Sequence, residues 1–227
     1  YLVALLKSLG EFKREPMGLQ QLAEQACDIE INRLKKPIGK QDQYMAAYGG
    51  TTILEISKDG SVAVRGAKIN NATLMDFIAN THLYYTGIRG SVPEILRDQD
   101  TAMRTDTAPA HDVVQGSLHG IKELGYATLE AIEAENYDEF GGLMDKHWQF
   151  KKRLSSRISI PGIDELYAEV KKRFGVLGGK VSGAGGGGFF MVYAPSNHAE
   201  LDEFMIRHGL TRMHYGVDWE GAKILVQ

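Results

Sequence analysis

The stretch Lys180-Val-Ser-Gly-Ala-Gly-Gly-Gly-Gly-Phe-Phe190 constrains this chain more than any other. Gly183, Gly185, Gly186, Gly187 and Gly188 forfeit side-chain burial and cost backbone entropy, so packing alone does not account for them. They suit a place where the backbone must come very close to a partner. Successive N–H groups in such a turn form a concave nest for an anion, which a following helix or the Ser182 hydroxyl would strengthen. A tight glycine hairpin at a strand edge is the competing reading. The pattern is not a Walker A loop, which needs Gly-x-x-x-x-Gly-Lys followed by Ser or Thr, nor the Gly-x-Gly-x-x-Gly that opens a βαβ unit. Lys180 precedes the glycines, so it does not inherit the Walker lysine's task.

With 227 residues, 43% of them hydrophobic and 24% charged, the chain is long enough for one large domain or two modest ones and is composed like a folded globular protein. A formal net charge of -3 gives no general attraction to nucleic acid or to an acidic membrane surface, so any basic site must be local. The single cysteine, Cys27, allows no intrachain disulfide and no Cys-rich metal site, and fits a reducing, cytoplasmic compartment. No apolar run approaches the roughly 20 residues of a membrane span. The opening Tyr1-Leu-Val-Ala-Leu-Leu-Lys7 reads directly as helix, as a chain cut inside an element would.

Apolar spacing predicts helices over Leu2 to Leu9, ended by Gly10, and over Leu19 to about Leu34; a short helix follows the Pro37 and Gly39 break. Lys58-Asp59-Gly60 between 52–56 and 61–64 predicts a hairpin. Residues 73–86 read as strand with a turn at Ala79-Asn80. Three helices follow, traced by Val114 to Ile132, Phe140 to Leu154 and Asp164 to Phe174, the last with acids first and Lys171-Lys172-Arg173 last, as the helix dipole favours. Then come the strand 189–193, a helix over 198–208 and closing strands at 213–217 and 223–226. Glu94, Asp98, Asp100 and Asp106 read as a solvent-facing loop. The order is α+β, with a boundary near residues 70–80.

Gly39-Lys-Gln-Asp-Gln-Tyr44 places one carboxylate, Asp42, between glycine turns near an element end. A kinase acting on an alcohol needs such a group to position the hydroxyl and receive its proton. A helix-capping or surface role for Asp42 is the alternative. The densest basic cluster, Lys151, Lys152, Arg153 and Arg157, is either a solvated helix face or a pocket for a phosphate already on the sugar; Arg89 is another candidate for that phosphate, and Thr86 for a hydroxyl contact. The histidines form no metal set: His82 and His111 lie on different elements, and no His-Glu-x-x-His helix exists.

The segment 180–189 resembles the third motif of the galactokinase, homoserine kinase, mevalonate kinase and phosphomevalonate kinase (GHMP) superfamily. Residues 39–44 resemble its catalytic-aspartate segment, most like that of bacterial kinases of D-glycero-D-manno-heptose phosphate. His82-Leu-Tyr-Tyr-Thr-Gly-Ile-Arg89 and His147-Trp-Gln-Phe-Lys-Lys-Arg-Leu-Ser155 resemble the same subgroup. The likeness implies an N-terminal domain like the second domain of ribosomal protein S5, incomplete over residues 1–75, and a ferredoxin-like C-terminal domain over 76–227. It implies Asp42 as the catalytic aspartate, with Gln41, Gln43, Tyr44, Thr86, Arg89, Lys151 and Arg153 around the substrate. Ser182, Gly183, Ala184, Gly185, Gly186, Gly187 and Gly188 would lie beside the phosphates of ATP, with Mg2+ as the nucleotide's partner.

The implied reaction is phosphorylation of the anomeric hydroxyl of a small sugar phosphate, heptose 7-phosphate, and a homo-oligomer stays open. The superfamily's first motif and its Pro-x-x-x-Gly-Leu-Gly-Ser-Ser phosphate loop are not found in these residues, which leaves turnover by the chain as it stands an open matter. Gly49-Gly50-Thr51-Thr52 departs from the apolar residue and asparagine usual after the glycines. A fucose or mannose kinase, a non-catalytic binding module and an assembly protein remain the alternatives.

Overall fold

The computed structural model describes residues 1–88, 90, 92–104 and 110–225, which form two compact units. The first holds residues 1–67 together with 216–225, and the second residues 68–215. The division falls at 67/68, and the chain returns to the first unit after Tyr215.

In the first unit, α1 (Leu2–Phe12) runs through Gly10 instead of ending there. Helix α2 (Leu19–Cys27) continues into a π-helical stretch, Asp28–Arg33, and α3 (Gln41–Tyr48) follows. Their apolar faces meet in a core of Val3, Leu22, Ala23, Ala26, Tyr44 and Ala47, all buried. The hairpin of β1 (Thr52–Ile56) and β2 (Val62–Gly66) pairs Leu54 with Val64. Its turn is set by Asp59, whose Oδ1 accepts the Ser61 N–H at 2.9 Å, and by Gly60, whose N–H donates to Ser57 O at 2.9 Å. The returning segment is fastened by backbone: Gly50 N–H donates to Asp218 O at 2.6 Å, and Gly221 lies so close that a Cβ on Gly49 would stand 2.4 Å from its nitrogen.

The second unit begins with α4 (Asn71–Asn80) and β3 (Thr81–Tyr85). The strand expected over 73–86 is thus a strand only in its second half. Asn70 caps the helix, its Oδ1 accepting the Ala72 N–H at 2.9 Å. Leu74, Phe77 and Ile78 also fit helical spacing, with Leu74 buried and Phe77 packed at 4.8 Å, centroid to centroid, against Phe140. Next come α5 (Val92–Arg104), α6 (Ala110–Glu133), α7 (Tyr137–Lys152) and α8 (Pro161–Phe174). Glu94, Asp98 and Asp100, expected in a loop, lie on α5, whereas Asp106 falls outside the described residues.

The chain closes with β4 (Gly178–Val181), β5 (Phe189–Tyr193), α9 (His198–Arg207) and β6 (Thr211–Met213). β6 is shorter than, and set before, the strand expected at 213–217. Residues 223–225 form no strand, and Val226 lies outside the described residues. The sheet order is β4-β5-β3-β6, antiparallel at every pairing. Helix α7 lies against the edge strand β4 so closely that a Cβ on Gly178 would stand 1.8 Å from Gly141 O. The core between sheet and helices holds Trp148, Ile158, Val170, Phe190, Val192 and Leu201, each contributing about 1.5–3 kcal/mol by burial.

A polar network crosses this core. His82 Nδ1 lies 3.0 Å from both Tyr84 Oη and Asp202 Oδ1, Tyr84 Oη donates to Asp202 Oδ1 at 2.5 Å, and Arg212 pairs with the second Asp202 oxygen. Burial raises the Asp202 carboxyl, but hydrogen bonds from Tyr84, Arg212 and His82 outweigh it and hold the group below its usual range. Burial pushes the His82 imidazole down to about 4, against the Asp202 hydrogen bond. His147 on α7 is likewise driven by burial to about 4.

Unfolded, both rings take a proton near pH 6.5, but folded they resist it until about 4. Stability is therefore complete above about pH 6.5 and is lost as pH falls towards 4. Urea unfolding at steps between pH 7 and 4.5 should show this decline, and His147→Gln should flatten it. An unfolding free energy constant over that window would contradict the neutral burial of these rings.

Candidate functional site

The glycine segment is the turn from β4 to β5, and neighbouring backbone clamps it. Ser182 N–H donates to Phe189 O at 2.7 Å, Gly186 N–H to Ile158 O at 3.2 Å and Gly188 N–H to Ile88 O at 2.8 Å. Thr86 bonds Gly188 O twice, through its N–H and its Oγ1, each at 2.9 Å; its hydroxyl oxygen also accepts the Ile88 N–H. At Gly187, with φ +144°, a Cβ would stand 2.4 Å from Ile88 O, and at Gly90 a Cβ would stand 2.4 Å from Gly186 O. Only residues without side chains let these backbones meet.

The clamp consumes the amides at 182, 186 and 188. Among the described residues, the N–H groups of Gly183, Ala184 and Gly185 donate to no protein acceptor. Three successive amides without a protein acceptor, in a turn with Gly183 and Gly185 at φ +68° and +100°, are the kind of backbone that can cradle an anion. Ser182 is exposed at its rim.

Beneath the turn lies Lys151, on the last turn of α7 and 9% exposed. Its Nζ donates to Val181 O at 3.2 Å and to Gly183 O. Burial, helped by the nearby Lys180 charge, pushes the Lys151 ammonium down to about 8. Burial lowers Lys180 as well, and the His147 Nδ1 is buried without a partner. The other members of the basic cluster diverge. Lys152 pairs with Asp164 at 3.2 Å, Arg157 reaches Asp98 at 3.1 Å and Glu94 at 3.3 Å, and exposed Arg153 lies 5.4 Å over the Phe150 ring. Arg89 lies outside the described residues.

In the first unit, Asp42 sits in the first turn of α3, exposed and with no hydrogen-bond partner among the described residues. It lines a cleft of about 410 Å³ with Gln43, Glu30 and Lys36. Glu30 links the other two: Lys36 Nζ donates to its Oε1 at 2.7 Å and Gln43 Nε2 to its Oε2 at 2.6 Å. These bonds hold the Glu30 carboxyl below its usual range. Gln43 is buried, and its Oε1 has no partner. Gln41 is exposed at the helix start. Tyr44, expected beside the substrate, is instead 1% exposed in the core, stacked on Tyr48 with its hydroxyl accepting from Gln20 at 3.3 Å. The helical phase that turns Asp42 outward turns Tyr44 in. Sequence reasoning missed Glu30, although it stands within a helical stretch it identified, whereas the spacing of His147 and Lys151 does put them on one face of α7.

Among the described residues no group of three His, Cys, Asp or Glu could hold a metal ion, and no helix is long and apolar enough to cross a membrane. Residues 128–206 match the family model described as GHMP kinases C terminal. The crystal structure of a D-glycero-D-manno-heptose 1-phosphate kinase from Bacteroides thetaiotaomicron aligns with a TM-score of 0.70 at 24% identity, over 99% of this chain and 61% of that one. The chain has the GHMP-kinase fold.

Its α+β arrangement is that of GHMP kinases, with a helical N-terminal part and a ferredoxin-like sheet after it. The chain is also 27% identical over 191 residues to D-glycero-alpha-D-manno-heptose 7-phosphate kinase of Campylobacter jejuni, covering 84% of this chain and 54% of that protein. It is 29% identical over 165 residues to L-fucokinase/L-fucose-1-P guanylyltransferase of Bacteroides fragilis, covering 72% of this chain and 17% of that protein. It thus spans about half the length of the first relative and about a sixth of the second.

The loop geometry separates its glycines energetically. At Gly183 a Cβ meets nothing within 4 Å, so Gly183→Ala should cost only the left-handed penalty of about 1–2 kcal/mol. Gly187→Ala drives a Cβ into a carbonyl oxygen and should cost roughly 1–3 kcal/mol more. Denaturant midpoints of the two variants check this ordering; equal losses would contradict the clamp.

Proposed function

We propose that the chain belongs to an ATP-dependent kinase that phosphorylates a hydroxyl of a small sugar phosphate, the anomeric hydroxyl of D-glycero-D-manno-heptose 7-phosphate. The observation that carries the reading is the run of open amides at Gly183, Ala184 and Gly185 in a GHMP-kinase fold. Preorganised donors of this kind stabilise phosphate charge in a transition state without a covalent enzyme intermediate. The relatives named as heptose phosphate kinases support the sugar. The relative named L-fucokinase supports a fucose-type acceptor as the second reading.

In this reading Asp42, exposed and unpaired on α3, orients the acceptor hydroxyl and takes its proton. Gln41 and Gln43 flank it, and the Gln43 Oε1, buried without a donor, is suited to a sugar hydroxyl. Arg153, which is exposed, and Arg89 are the candidates for a phosphate on the sugar, where guanidinium forks serve well. Thr86 contributes through the loop, since its hydroxyl braces Gly188. Mg2+ would come with ATP, held by phosphate oxygens and water with one or two carboxylates at most. A cytoplasmic setting, where ATP is supplied, suits the free thiol of Cys27.

ATP consumption measured with a panel of sugars and sugar phosphates tests the reading. Turnover is expected on heptose 7-phosphate, and Asp42→Asn should lower it by about 10²–10⁴-fold with little change in ATP affinity. Fucose turnover without heptose turnover would move the assignment to the second reading. ATP binding with no turnover on any sugar would overturn kinase activity and leave a binding module.

A further inference from the structure

The interior behind the glycine turn carries positive charge with no protein anion to match it. Lys151 on α7 and Lys180 on β4 are both desolvated enough to lower their ammonium groups, and each feels burial first. His147, one turn before Lys151 on α7, is neutral there and has an unpartnered Nδ1. Among the described residues no carboxylate pairs with either lysine. Burying cations without counter-charge is costly, so such a site is completed by an anion from outside.

Lys151 itself does not face that anion, being 9% exposed and engaged with Val181 O and Gly183 O. A peptide is planar and trans, so drawing the Gly183 carbonyl toward α7 turns the Ala184 N–H the opposite way. That N–H is one of the three open amides of the nest. We propose that Lys151 is a positioning residue for the nucleotide phosphates, holding residues 181–184 from behind in the form whose amides receive an anion. The proposal rests on the reading of the loop as a phosphate site. It explains why one lysine of a basic run turns inward while Lys152 pairs with Asp164 and Arg153 stays in solvent.

The test uses the whole chain labelled with 15N-glycine and 15N-alanine and titrated with ATP plus Mg2+, and separately with inorganic tripolyphosphate. In the wild type the amides of Gly183, Ala184 and Gly185 should shift together as the ligand binds. Lys151→Met should weaken ATP binding on the order of tenfold or more, the scale of a hydrogen bond to a charged group, and abolish the Ala184 shift. Lys151→Gln keeps a donor for the Gly183 carbonyl and should restore part of both, which a general loss of packing would not allow. It also serves if Lys151→Met does not fold by circular dichroism. Lys152→Met removes the same charge one residue away and should leave the loop shifts intact.

Unchanged ATP affinity and loop shifts in Lys151→Met, with the wild type responding, would overturn the proposal and leave the phosphate-loop reading standing. Equal losses in Lys151→Met and Lys152→Met would overturn it too, because charge alone would then explain the effect. No response of any loop amide in the wild type would overturn the phosphate-loop reading and this proposal with it.

Discussion

The second unit depends on backbone meeting backbone at the β4–β5 turn. Gly187 lies against the Ile88 carbonyl and Gly90 against the Gly186 carbonyl, at separations that exclude even a methyl group. The contact is made rigid by the hydrogen bonds of Gly186, Gly188 and Thr86. Because bonds at Ser182, Gly186 and Gly188 pin both ends of the turn, the amides between them are restrained in direction, which is what electrostatic preorganisation requires. A looser turn with the same glycines would lose both the close approach and the orientation.

Charge in this unit is arranged to serve that turn from one side and the sheet from another. On the α7 side, Lys151 and Lys180 are desolvated beside the loop without an acid. Across the sheet, Asp202 gathers His82, Tyr84 and Arg212, so each buried polar group there is matched except His82 Nε2. The first arrangement has no counter-charge among the described residues, whereas the second lacks a partner only at His82 Nε2. Polar groups buried as a satisfied network specify a core, whereas an unmatched set marks a place for something else to bind. In the first unit Glu30 plays the organising part, joining Lys36 to Gln43 beneath the cleft that Asp42 lines.

Much of this was legible in the residues. Apolar spacing located α1, α2 and α6 to α9, the Asp59-Gly60 pair located the hairpin, and the glycine run located the turn between β4 and β5; α5 was not located, its acids reading as a loop. Residues 73–80 were misread because Leu74, Phe77 and Ile78 suit either a strand or a helix over so short a window; the Asn70 cap and the Phe140 contact settle it. The strand β4 was obscured by Gly178 and Gly179, poor strand formers that are required where α7 meets Gly178 and where Tyr167 of α8 and β5 crowd Gly179.

The sequence by itself determined the α+β order, the glycine turn and the candidacy of Asp42, because each rests on local chemistry or on a repeat read along the chain. Only the tertiary structure decided which polar residues face inward. Lys151, Lys152 and Arg153 are alike as a basic run, yet one lies beneath the loop, one pairs with Asp164 and one remains in solvent. Gln43 and Tyr44 adjoin Asp42 but are taken by Glu30 and by the core. Helical phase sets the direction of each side chain, and the partner it meets belongs to an element distant in sequence, so composition and spacing do not contain the answer.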